Sequence, residues 1–268
     1  MKKLLLASAL LLSACGTETA PMAQPARAEA KAGAEAAAPA APAAAVAAAA
    51  ARLVEEKGEL VDFTYGWPAE AAAIPGLDAA LEQALARDRA EALATARDDK
   101  AMRTEDIPFN GHYLSKVWTI RGDSAPLLSL AATLETFTGG AHGSLTFDSI
   151  LWDRVASRAI AAADLFSDPA AAFAAMNGAY CAALDQERAT RREEKLPLEG
   201  DDWMTGCPNL AEQVIVPVDS DSDRRFDAFG ILIPPYEAGP WAEGAYPVEV
   251  PVTDALRALV KPDYREAF

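Results

Sequence analysis

The chain has 268 residues, with 40 acidic against 24 basic side chains and a formal charge of −16. Once Lys2 and Lys3 are taken as part of an export signal, 22 basic residues face 40 acidic ones and the charge becomes −18. That balance disfavours nucleic acid and anionic lipid headgroups as partners and permits basic ones, although acidity also serves to keep an exported protein soluble.

The first residues read as a secretory signal. Lys2 and Lys3 supply the charged start, and Leu4 to Leu12 form an apolar run too short to span a bilayer. Leu12-Ser13-Ala14-Cys15 resembles the lipobox of bacterial lipoproteins. The resemblance implies a signal peptide over 1–14 and a lipidated Cys15 as the mature N-terminus. It makes the membrane a partner through the lipid anchor. Gly16, rather than Asp, follows the cysteine and resembles the choice for outer-membrane sorting, so the expected place is the periplasmic face of that membrane. From Thr17 to Ala50, 19 of 34 residues are alanine and four are proline. Residues 15–50 therefore read as a tether, disordered in its first half. The run from Ala43 into Arg52 and Val54 has helical propensity, since alanine is the best helix former.

Residues 51–268 suit one α+β domain, with about 51–125 and 126–268 as the alternative division into two subdomains. Val61 to Tyr65 alternates as a strand and is broken at Trp67-Pro68. After Pro75-Gly76 the apolar residues Leu77, Leu81, Leu85 and Ala92 recur at helical spacing. Tyr113 to Arg121, Leu127 to Thr138 and Ser144 to Trp152 have strand character, and their short breaks favour an antiparallel meander. Asp168-Pro169 opens a second long helix along Phe173, Met176, Tyr180 and Leu184. Glu212 to Val218, Phe226 to Ile233 and Tyr246 to Val252 add strands, and Thr253-Asp254 caps a short terminal helix. Strands clustered with helices, without regular alternation, predict an α+β fold with a mostly antiparallel sheet.

Cys181 and Cys207 remain once Cys15 is lipidated, and an exported chain meets an oxidising compartment, so they are expected to be bonded. The loop they close contains the charged run Glu187 to Glu194. Their spacing is not that of a zinc set, and the two histidines, His112 and His142, form no metalloprotease pattern. The Asp219 to Asp223 loop superficially resembles a calcium loop, but Arg224 stands where glycine is needed, leaving a solvated hairpin as the expectation. No metal or cofactor is expected.

Three stretches carry a family resemblance. They are Phe63-Thr64-Tyr65 with Trp67-Pro68; Thr138-Gly139-Gly140-Ala141-His142-Gly143 leading into Trp152-Asp153 and Asp164-Leu165-Phe166; and Pro235-Tyr236-Glu237-Ala238-Gly239-Pro240. Together they resemble the tandem domains of unknown function in the extracellular part of the RsiV anti-sigma factor and beside PdaC-type peptidoglycan deacetylases. The resemblance spans roughly Leu60 to Phe268 and implies a cell-envelope protein, since members sit outside the cytoplasmic membrane and some are sensors that bind lysozyme. This chain shows neither a sigma-binding segment nor a deacetylase domain, so signalling and deacetylation do not transfer.

The glycines around His142 fit a tight turn between strands. Tyr236, Trp241 and Tyr246 are interleaved with Glu237 and Glu243, a composition that suits either aromatic packing or recognition of sugar faces and cationic partners. His142, Tyr236, Glu237, Trp241 and Glu243 are the candidate ligand-binding residues, and none is assigned a catalytic role. No Gly-x-Ser-x-Gly elbow is present. The leading expectation is a non-catalytic binding module for an envelope protein, lysozyme-like or otherwise basic, or for a peptidoglycan fragment. The alternatives are a structural lipoprotein without ligand and a cryptic cell-wall hydrolase using a carboxylate pair such as Glu237 and Glu243.

Overall fold

The alternation of Val61, Phe63, Tyr65 and Trp67, all buried, gives β2 (Val61–Trp67) one apolar face that must be covered. The long helix covers it. In a computed structural model describing residues 49–196 and 204–268, all within one compact unit over Val46–Phe268, α2 (Pro75–Met102) lies against that face. A short α1 (Ala69–Ala72) precedes it, and Pro75 starts it at a position where the missing N–H costs nothing. The signal peptide, Cys15 and the tether as far as residue 48 lie outside the described residues.

The first sheet has six strands in sequence order: β1 (Arg52–Glu56), β2, β3 (His112–Asp123), β4 (Leu127–Phe137), β5 (Ser144–Asp153) and β6 (Arg158–Ile160). β2 and β3 are parallel, since α1 and α2 return the chain to the same end, and every other pairing is antiparallel. The predicted meander is β3-β4-β5. A second sheet, β7 (Val214–Val218), β8 (Ala228–Ile233) and β9 (Tyr246–Pro251), is antiparallel throughout. α3 (Pro169–Arg192) and α4 (Asp254–Leu259) complete the fold, a mostly antiparallel α+β architecture with two long helices.

The layers follow from which residues each strand turns inward. Trp118, Leu128, Leu130 and Trp152 join Phe63 and Tyr65 beneath α2. On the opposite face, Ala131 and Phe147 meet Val216, Val218 and Leu232 of the second sheet. That sheet turns Phe229, Ile231, Ile233, Tyr246 and Val248 to its far side, where Met176, Tyr180 and Leu184 of α3 pack. The order is thus helix, sheet, sheet, helix, and β8, the middle strand of the inner layer, is buried at all six positions.

One expectation is corrected. Arg52 to Val54 are not helical but belong to β1, paired with β2 from Arg52 opposite Trp67 to Glu56 opposite Phe63. Helical propensity ends with the alanines at Ala51, and beyond them a free sheet edge offers backbone partners along the whole segment. The alanine-rich run before residue 49 lies outside the described residues. The two helix starts agree with their caps: Asp168 accepts from the Ala171 N–H at 3.0 Å, and Thr253 from Leu256 at 3.2 Å.

Candidate functional site

Two sequence motifs 94 residues apart meet at one edge of the molecule. The turn between β4 and β5 holds Gly139 and Gly140 at φ +103° and +96°, values that favour glycine, and carries His142 outward. The loop after β8 carries Tyr236 and, on a single 3-10 turn, Trp241 to Glu243. His142 Nε2 lies 3.0 Å from the Tyr236 hydroxyl and Nδ1 2.7 Å from the Gly143 carbonyl. A carbonyl only accepts, so Nδ1 carries the proton and, in the neutral ring, Nε2 accepts from tyrosine. Trp241 stacks on the same imidazole, with centroids 4.4 Å apart and planes at 12°, and the Tyr236 ring stands 6.2 Å from Trp241.

Tyr236 is 55% exposed and sits at φ +74°, a left-handed conformation that a bulky side chain rarely adopts. Its N–H donates to the Gly239 carbonyl at 3.0 Å, closing the turn that imposes this geometry. Strain of this kind, on the order of 1–3 kcal/mol, persists only where the surroundings over-determine it, and it collects at functional positions. Glu237, on the same turn, is exposed and accepts no side-chain hydrogen bond among the described residues.

Glu243 points the other way. Its carboxylate receives Arg192 Nε and Nη2, both at 2.9 Å, and the Tyr246 hydroxyl, and it folds over Gly239, where a Cβ would collide with it. Glu243 therefore holds the loop that presents Trp241. Burial works against its ionised form, but Arg192 and Tyr246 outweigh burial and hold the carboxyl below the ordinary glutamate range. A depressed folded value stabilises above the unfolded value, about 4.3, and that stabilisation disappears as pH falls through the lower folded one. Acid titration of the melting temperature should accordingly show a decline below about pH 4.3 that is shallower in Glu243→Gln. Parallel curves for the two proteins would contradict this.

Three arginines at the end of α3 fix this loop from behind. Arg188, wholly buried, donates through Nε to the Ala238 carbonyl at 2.9 Å and through Nη1 and Nη2 to Thr205 and Gly206 at 3.0 and 2.9 Å. Arg191 donates to the Glu243 and Ala245 carbonyls at 2.8 and 2.7 Å and lies over the Tyr246 ring. Arg192 adds the Met204 carbonyl to its pair with Glu243. The expected Cys181–Cys207 disulfide is formed and ties residues 204–207 to the same helix. These arginines belong to the charged run Glu187 to Glu194, whose composition does not mark them as site residues, although Tyr180, Leu184 and Arg188 continue one buried i, i+4 line.

A second polar cluster lies on the opposite face of the first sheet. Lys116, buried between Leu114 and Trp118 on alternate positions of β3, pairs with Asp88 of α2 and Asp148 of β5. Burial opposes its charge, but Asp148, Tyr65 and Asp88 prevail and hold the pKa above the ordinary lysine value. His112, also buried, lies 3.1 Å from Asp99, which takes a two-point contact from Arg103. A cavity of about 300 Å³ separates these groups, lined by His112, Lys116, Asp88, Thr95 and Thr136. The carboxylates of Asp219, Asp221 and Asp223 approach one another within 4.8 Å, and both Asp219 oxygens already accept backbone N–H groups of their own loop, from Asp223 and Arg224.

Residues 54–145 match the family model described as Deacetylase PdaC. A DUF3298 family protein from Pseudomonas aeruginosa PAO1 has a similar structure, with 18% identity, a TM-score of 0.50, and coverage of 80% of this chain and 94% of that one. The fold is that of a DUF3298 protein. A DUF3298 family member from Bacteroides fragilis NCTC 9343 is 12% identical, with a TM-score of 0.47 and coverage of 81% and 94%. No curated protein matches the chain. The PdaC-type match ends just beyond the turn that carries His142, whereas Tyr236 and Trp241 lie outside it. The aromatic cluster thus joins the PdaC-type segment to the remainder of the DUF3298-like fold.

Proposed function

We propose that this domain is a non-catalytic binding module of the cell envelope, held at a membrane by lipid on Cys15. Its recognition face is built from His142, Tyr236 and Trp241 with Glu237 beside them. The partner is an envelope protein of basic character, such as a lysozyme-like one, or a peptidoglycan fragment. The observation that carries the reading is the convergence of two distant motifs on three adjoining aromatic rings, one of them exposed on a strained backbone. Rings at an edge fit recognition, because they offer rigid contact area at little entropic cost. A carboxylate-pair hydrolase fits less well: both Glu243 oxygens already accept from Arg192, so this carboxylate is not free to act as nucleophile or to activate a water.

Affinity capture from envelope extract tests the module. The wild-type chain should retain a stoichiometric basic protein or muropeptide that Trp241→Ala does not. A blank with both proteins favours a structural lipoprotein. The anchor has its own test, in which Cys15→Ser moves the protein from the membrane fraction to the soluble one. No helix among the described residues is long and apolar enough to cross a membrane, so unchanged sedimentation of that variant would count against lipidation.

A further inference from the structure

We infer that the groove beside Trp241 is a subsite for a lysine or arginine side chain of a protein partner. The inference rests on the binding-module reading and specifies the chemistry that the face accepts. The second sheet covers the first around Leu127 and Leu151 and, nearer the hairpin tip, around Ala131 and Phe147. Beyond it, toward the tip of the β4–β5 hairpin, the same face runs on uncovered. There a groove of about 290 Å³ is lined by Tyr113, Glu135, Phe137, Leu145 and Ser144, with Trp241 as one wall.

Register explains the lining. Glu135 and Phe137 are alternate residues of β4 and share a face, Leu145 of β5 stands directly opposite Glu135, and Tyr113 of β3 opposite Phe137. Phe137 and Leu145 give an apolar floor suited to a methylene stem. Glu135 gives a carboxylate whose hydrogen-bond partner is the Tyr113 hydroxyl at 3.2 Å, a neutral donor that leaves the negative charge uncompensated. Among the described residues, no lysine or arginine lines the groove. Trp241, positioned by its stack on His142, adds a π surface that attracts a cation. Apolar stem, carboxylate and indole in one groove match a long cationic side chain better than an apolar one, which would bury Glu135 without a partner. Exposed Glu237 on the adjacent loop, together with the chain's formal charge of −16, favours approach of the same class of partner.

The test uses the full chain in non-ionic detergent and a fluorescein-labelled Lys-Gly repeat peptide, read by fluorescence anisotropy at physiological ionic strength. Glu135→Gln should weaken binding about tenfold. Glu91→Gln, which removes an equal charge from an exposed position of α2 on the other face of the sheet, should leave binding within about twofold. The same peptide with every lysine acetylated should not bind. Equal losses in the two variants would mean diffuse attraction and overturn the subsite, as would binding of the acetylated peptide or no binding by the wild type. The envelope capture separates this inference from the reading beneath it. A partner lost by Trp241→Ala but kept by Glu135→Gln leaves the recognition face standing and removes the cationic subsite, whereas a partner kept by both variants removes both.

Discussion

Arg188→Leu should lose about 3–5 kcal/mol of folding stability, the largest effect expected of any single substitution in this domain. Leucine fits the apolar line of α3 through Tyr180 and Leu184, so the cost does not come from packing. It comes from the carbonyls of Ala238, Thr205 and Gly206, which lose the guanidinium donors that now satisfy them. Burial, reinforced by neighbouring Arg192, pushes the guanidinium's pKa down, with Asp185 acting in the opposite sense. The hydrogen bonds to Ala238, Thr205 and Gly206 offset that burial. Urea unfolding followed by circular dichroism measures the change. A midpoint shift equivalent to less than about 1 kcal/mol would show that water or a rearranged loop replaces the guanidinium.

Opening the Cys181–Cys207 bridge should be nearly as costly. The cysteines are 26 positions apart, and a crosslink of that span stabilises by about 3–4 kcal/mol through the entropy it removes from the unfolded chain. The bridge also holds Gly206 and Thr205 within reach of Arg188. The Cys181→Ser/Cys207→Ser protein should therefore melt well below the wild type, and adding Arg188→Leu to it should cost less than Arg188→Leu costs alone. Strict additivity of the two changes would mean that bridge and arginine act on different parts of the structure. Thiol labelling of the denatured, unreduced protein should find neither cysteine.

Much of the fold was legible because its elements obey simple periods. The buried side chains of β2 alternate, α3 follows Phe173, Met176, Tyr180 and Leu184, and Asp168 and Thr253 cap the helices they precede. The disulfide followed from compartment and count. What escaped has a common cause, in that a tertiary partner decided the outcome. β1 is a strand because the edge of β2 was free, and Lys116 is buried because Asp88 and Asp148 wait for it. Arg188, Arg191 and Arg192 in the charged run turn to the loop because its carbonyls accept from them. The candidate face was half legible. Family resemblance singled out His142 and the Tyr236 loop, but spacing within a chain does not say that two turns 94 residues apart will share a hydrogen bond. Nor did composition separate Glu237, which is exposed, from Glu243, which serves Arg192.

The most direct measurement is the affinity of Trp241→Ala for the captured partner, taken together with its melting temperature on the same preparation. Trp241 is half-buried, stacked on His142 and set on a loop whose backbone is held independently by Arg191. As an anchor, its removal should weaken binding by about 2 kcal/mol or more, roughly 30-fold, with the fold largely retained. A clearly lowered melting temperature with wild-type affinity per folded molecule would instead assign Trp241 to packing and contradict the recognition face.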